Sequence, residues 1–144
     1  MRLADLKHLE KRSELLHTLE ELSDPEYQRL NWVEGRSGNP WVSFDEIVHF
    51  FFDDTDLGDD AGTEIGFTLL DEAEANVVSA VTSALDSLLK LRGTKLTDAQ
   101  YITSPEWQGI VDRARHAAAL IRVNGPGPHY FPAHNKSLER TREG

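Results

Sequence analysis

The 144-residue sequence contains no cysteine. Disulfide frameworks, cysteine-ligated zinc and thiol nucleophiles are therefore excluded. No run approaches the roughly 18 apolar residues that a membrane helix needs. The N-terminus also lacks the charged start, apolar centre and small-residue cleavage site of a signal peptide, so a cytoplasmic protein with no membrane partner is expected. Bases are scarce, 15 against 25 acids, giving a formal net charge of -10. Phosphate backbones and anionic lipids are held by clustered Lys and Arg, so nucleic acid is not an expected partner. Gly-x-Ser-x-Gly, a phosphate loop and His-Glu-x-x-His are all missing, and no catalytic residue is assigned.

The charge that is present is unevenly placed. Between Ser37 and Leu89 stand twelve carboxylates and not one Lys or Arg, while the flanks hold the other 13 acids and all 15 bases. A charge block of this kind is usually a solvated face. Its functional reading is a docking surface for a basic protein.

Length fits one domain. Leu3 to Leu22 is rich in helix formers, with Leu15, Leu16, Leu19 and Leu22 on one stripe and Leu3, Leu6 and Leu9 off it. Asp24-Pro25-Glu26-Tyr27 supplies an N-cap acceptor, a first-turn proline and an acid, and starts a helix that ends near Gly35. Gly35 to Pro40 is a loop by composition. Ser43 and Glu46 form a capping box before a short helix from about Phe44 to Phe52. Asp53 to Gly62 has too many carboxylates to bury and reads as a loop. Ile65 to Leu70 has room for one short strand, though a lone strand has no partner.

Asp71 and Glu74 cap the clearest helix, Glu72 to Leu91, whose inward face is Val77, Val78, Val81, Leu85, Leu88 and Leu89. Thr97 and Gln100 cap a short turn of helix. Ser104-Pro105-Glu106-Trp107 repeats the Asp24 pattern before a last helix with Trp107, Ile110, Val111, Ala114, Ala117, Ala118 and Ile121 at core spacing. That helix stops at Asn124-Gly125-Pro126. The expectation is a mainly α, single-domain bundle of about five helices over residues 1–124, followed by an irregular tail over 125–144 in which Tyr130 and Phe131 are anchors. The alanines of the last helix and the aromatic tail each offer a face for a homodimer.

Three constellations bear on chemistry. Glu14 with His17 and Glu46 with His49 are Glu-x-x-His pairs of the kind that ligate di-iron in bundles, but helical phase turns both pairs away from the core stripes. Asp53 to Glu64 threads onto a calcium loop with Asp53 first, Gly58 sixth and Glu64 last; Thr55 and Leu57 fail as its third and fifth ligands. Loose Ca²⁺ or Mg²⁺ binding is the remaining metal reading, with Asp53, Asp54, Asp56 and Glu64 as ligands and His49 nearby. Glu46, His49 and Asp53 share a helical face, which sets the imidazole between two carboxylates. A base and its orienter still need a nucleophile or pocket, and the sequence shows neither. For docking a basic protein, Asp53, Asp54, Asp56, Asp59 and Asp60 supply the field and Trp41, in the loop after Pro40, an apolar anchor.

Asp24-Pro25-Glu26-Tyr27-Gln28, the run His49 to Leu57 with its Phe-Asp-Asp-Thr core, and the stretch Asp98 to Trp107 resemble a family of small bacterial hypothetical proteins. The likeness spans roughly Leu15 to Ile121. It implies a mainly helical single domain of bacterial origin and transfers no catalytic residue. The ending Asn135 to Thr141 is similar to tails made when translation reads into the recombination site of an integron gene cassette, which implies a mobile accessory gene.

Overall fold

In the computed structural model, which describes residues 2–36, 38–39 and 42–128, the chain is mainly helical. Seven α-helices are described: α1 (Leu9–Leu22), α2 (Pro25–Gln28), α3 (Phe44–His49), α4 (Leu57–Asp60), α5 (Glu72–Arg92), α6 (Asp98–Ile102) and α7 (Trp107–Asn124). π-helical turns extend α2 over Arg29–Val33 and α3 over Phe50–Asp54. The helix count exceeds the expected five because the short turn after Thr97 is a helix of its own, α6, and because α4 occupies the aspartate-rich segment whose composition reads as loop. Trp41, Tyr130, Phe131 and the cassette-like ending at 135–141 lie outside the described residues.

Three long helices make the frame. α7 packs against both α1 and α5. Leu15, Leu16, Leu19 and Leu22 from α1, Val78, Val81, Leu85 and Leu88 from α5, and the whole predicted stripe of α7 are buried together. Val77 and Leu89 lie at the margin of that core. Ala114, Ala117 and Ala118 are buried within this packing, so the alanine stripe is not free to form a homodimer. A second, aromatic layer closes one end, where Trp32, Phe44, Tyr101 and Trp107 meet with ring centroids 4.8–6.1 Å apart. Gln28 ties this layer to the frame. Its amide donates to the Glu21 and Leu22 carbonyls and accepts from the Trp107 indole at 2.9 Å.

Several expected boundaries move, each for a visible reason. The first helix starts at Leu9 and not at Leu3, because the Lys7 and His8 N–H groups donate to the Gly66 and Phe67 carbonyls. Ile65 to Leu70 forms no strand. The Glu64 carbonyl accepts from Phe67, Thr68 and Leu69, which curls the segment into a turn with a single bridge between Ile65 and Leu69. Asp53 to Gly62 is not a loop, since Leu57 and Ala61, one helical turn apart, are both buried and draw α4 and a 3-10 turn (Ala61–Glu64) onto the core. Ser104 does not cap α7. Its hydroxyl donates to the Tyr101 carbonyl and so closes α6.

Past α7 the chain loses helical form at residues 125–128 but stays packed. Gly127 is buried, and a Cβ there would run into the Leu9 carbonyl and the Ser13 hydroxyl, so only glycine allows this approach to α1. Ser13 Oγ donates to the Pro128 carbonyl at 2.7 Å. No described helix is long and apolar enough to cross a membrane.

Candidate functional site: an acidic face wired to a buried ion pair

The acidic segment is built on the end of α3. Ser43 Oγ accepts the Glu46 N–H, and Phe44, Ile47, Phe50 and Phe51 are the buried anchors behind it. The π-helical turn then changes the register of the residues after His49. His49 Nδ1 lies 2.7 Å from Asp53 Oδ2, and His49 Nε2 lies 3.9 Å from Asp54 Oδ1. The expected neighbours Glu46 and Asp53 are thus replaced by Asp53 and Asp54, because the widened turn brings residue i+5 beside residue i. Glu14 and His49 are exposed, and His17 is half-exposed, pairing with Glu21 at 3.4 Å.

Asp53, Asp54, Asp56, Asp59 and Asp60 are all exposed. They do not form one cluster. Asp53, Asp54 and Asp56 line a cleft of about 260 Å³ with Thr55, Glu64 and Thr68, closed on the other wall by His8 and Lys11 at the start of α1. Asp60 lines a separate depression of about 290 Å³ with Glu72, Asn76 and Ser79. The calcium-loop threading meets helical geometry over Leu57–Asp60. Its last ligand is also engaged: Glu64 is buried, with Oε2 accepting the Asp56 N–H at 3.1 Å and Oε1 accepting the Thr68 hydroxyl at 2.8 Å. Among the described residues no group of three or more acids or histidines is arranged to hold a metal ion.

The turn that presents these carboxylates is fixed from beneath. Thr55 Oγ1 donates to the Phe50 and Phe51 carbonyls and accepts the Leu57 N–H. A Cβ on Gly58 would meet the Phe52 ring and lie 2.7 Å from the Phe51 carbonyl, so α4 sits directly on the phenylalanine run. From Thr68 the network continues inward, where the Arg12 guanidinium donates to the Thr68 carbonyl at 3.1 Å.

Arg12 and Glu74 are fully buried and form a bidentate pair, with N–O distances of 2.7 and 2.8 Å. Arg12 also donates to the Gly125 carbonyl, and Glu74 accepts the Leu70 N–H and the Asn124 amide, each at 2.8 Å. Burial alone would raise the Glu74 pKa. The bonds from Arg12, Leu70 and Asn124, with the Arg12 charge, outweigh it and hold this carboxyl below the ordinary glutamate value. By sequence Glu74 belongs to a cap with Asp71. Only half of that cap forms: Asp71 accepts the Glu74 N–H, while the Glu74 side chain turns inward. A signal for the pair was present, because Arg12 is in phase with Leu15, Leu16 and Leu19, and Glu74 with Val78, Val81 and Leu85.

Residues 6–127 match the family model described as a domain of unknown function, DUF7945. The chain belongs to this family. The match ends at Gly127, so the DUF7945 domain includes the segment that packs back on α1 as well as the seven helices. No curated protein and no solved structure matches the chain.

Proposed function

We propose that this DUF7945 domain is a non-enzymatic binding protein whose acidic face docks a basic protein partner, in the manner of an immunity protein or antitoxin held against a toxin. One observation carries the reading: five aspartates within eight residues stand exposed, and none of them pairs with a Lys or Arg among the described residues. Lys11, which lines the same cleft, pairs with Glu14 at 3.0 Å. Uncompensated potential of one sign speeds encounter and selects partners of the other sign, and such a role needs no catalytic group. Trp41 is placed by sequence beside α3 as the apolar anchor. The resemblance to small bacterial hypothetical proteins and of residues 135–141 to integron cassette tails supports a bacterial, cassette-borne gene product, and a cytoplasmic site of action goes with this reading.

The test is cross-linked capture from the source cells, followed by affinity measurement on the captured protein. A basic partner is expected whose affinity falls steeply with added salt, and falls again when Asp53, Asp54, Asp56, Asp59 and Asp60 are changed to Asn. Affinity and salt dependence unmoved by those changes would sink the reading.

A second reading puts a weakly held Ca²⁺ or Mg²⁺ in the cleft lined by Asp53, Asp54, Asp56 and Glu64, with His49 nearby. It is favoured by Asp53, Asp54 and Asp56 lining one cleft with Glu64, and it requires these carboxylates to turn from their present arrangement, in which Glu64 accepts from Asp56 and Thr68. An ion there raises the melting temperature in proportion to its binding, so a melting point unmoved by excess Ca²⁺ or Mg²⁺ rejects it.

A further inference from the structure

A different pair of carboxylates lies at the other end of α3. Phe44, Val48, Leu89, Leu96 and Tyr101, with Asp45, Thr94 and Asp98, enclose a cavity of about 90 Å³. Phe44 and Tyr101 form its buried floor, their ring centroids 4.8 Å apart. Asp45 and Thr94 are exposed at its mouth. Of the residues lining it, only Asp45 and Asp98 carry charge. Asp98 Oδ2 accepts the Phe44 N–H at 3.3 Å, and among the described residues no cation pairs with either carboxylate. An ionised carboxylate accepts at about four lone-pair positions, so the half-exposed Asp98 can take further donors that reach the cavity.

We propose that this cavity binds the ammonium group of a small primary amine, with Asp98 and Asp45 as counter-charges and the Phe44 and Tyr101 rings, Val48 and Leu96 around its methylenes. The cavity sets one half-buried carboxylate, Asp98, beside an aromatic lining and a second, Asp45, at its rim, and an ammonium is drawn both to carboxylates and to aromatic rings. At about 90 Å³ the cavity is small, which suits an ammonium carrying only one or two carbons. The state of Asp98 agrees. Burial raises its pKa above the ordinary aspartate value, the Phe44 N–H acts the other way, and the Asp45 charge raises it again. An ammonium in the cavity offsets both raising causes. A carboxyl perturbed by burial and a charged neighbour in a cleft is a recognised mark of a site.

The experiment is a titration with ethylammonium chloride, followed by carboxyl and aromatic NMR signals. Saturable shifts at Asp98, Phe44 and Tyr101 are expected, with a Kd on the order of 1 mM, and the Asp98 titration midpoint should fall as the amine binds. Asp98→Asn should weaken binding at least ~10-fold, the equivalent of about 1.4 kcal/mol. Leu96→Phe should fill the cavity and block binding while leaving both carboxylates in place, so the result does not rest on one variant. Asp53→Asn should change nothing, which separates this site from the acidic face. Absence of a saturable shift at Asp98, or equal binding by wild type and Leu96→Phe, would overturn the proposal.

Discussion

Two charged regions of this domain are built to opposite rules. Around Arg12 and Glu74 the charges are buried, paired bidentately and bonded to five further groups of the turns and helix ends nearby. From Asp53 to Asp60 the carboxylates face water, and among the described residues their ionic neighbours are limited to His49. Phase decides which rule applies. A charged residue on an apolar helical stripe is carried inward whatever its solvation cost, so the fold must supply its counter-charge and every hydrogen bond. The acidic segment has no such stripe, only Leu57 and Ala61 as anchors, and its charges stay outside. The two regions are nevertheless one network, since Arg12 holds the Thr68 carbonyl, Thr68 holds Glu64, and Glu64 holds the Asp56 N–H.

Breaking the buried region should give the largest effect. Glu74→Ala leaves the Arg12 charge unpaired in the core and should cost about 3–5 kcal/mol of stability, read by urea unfolding. Replacing both partners with Met removes the orphan charge and should recover only part of that loss. The Thr68 and Gly125 carbonyls and the Leu70 N–H would still be left without partners. A double variant as stable as wild type would show that the pair adds nothing the surrounding packing cannot supply. The pH dependence has a definite sign. A carboxyl whose folded pKa is lowered contributes stability that is present above its unfolded value and lost as pH falls through the folded one. Wild type should therefore lose stability on acidification below the ordinary glutamate range, and Glu74→Gln should flatten that limb. Asp98 works in reverse. Its raised pKa stabilises the fold at low pH and that contribution is lost as pH rises through the folded value, so Asp98→Asn should remove a fall in stability just above the ordinary aspartate range.

A smaller effect tests how firmly the acidic face is joined to the core. Gly58→Ala puts a methyl against the Phe52 ring and the Phe51 carbonyl. Overpacking of this kind costs about 1–3 kcal/mol. If α4 is seated as described, hydrogen exchange should quicken over Leu57–Glu64 while the frame of α1, α5 and α7 keeps its protection. Uniform exchange in the variant and the wild type would mean that α4 rides on the surface without support.

The long helices were legible because their apolar positions repeat every three to four residues over 14 to 21 residues, as in α1, α5 and α7. Caps at Asp24, Ser43, Asp71 and Thr97 were legible because each depends on one side chain and an N–H three residues on. The illegible parts depend on contacts distant in sequence. Lys7 and His8 leave the helix for Gly66 and Phe67, and α4 forms because Leu57 and Ala61 find the core, neither of which local composition reveals. In sequence the five aspartates lie within eight residues, but a helical turn between Asp56 and Asp60 sets Asp53, Asp54 and Asp56 on one depression and Asp60 on another.

The smallest stability effect should come from the region with the most charge. Changing Asp53, Asp54 and Asp56 to Asn removes three exposed carboxylates that contact no Lys or Arg among the described residues, and each such change should move stability by less than about 0.5 kcal/mol. The direction should be slightly stabilising, because like charges so close repel, and salt should stabilise wild type more than the triple variant by screening that repulsion. Thermal melts of both proteins at low and high ionic strength measure this difference directly. A marked loss of stability would mean that these aspartates hold the fold together as Glu74 does. No change in stability, with lost partner affinity, is the signature of a surface kept charged for something outside the molecule.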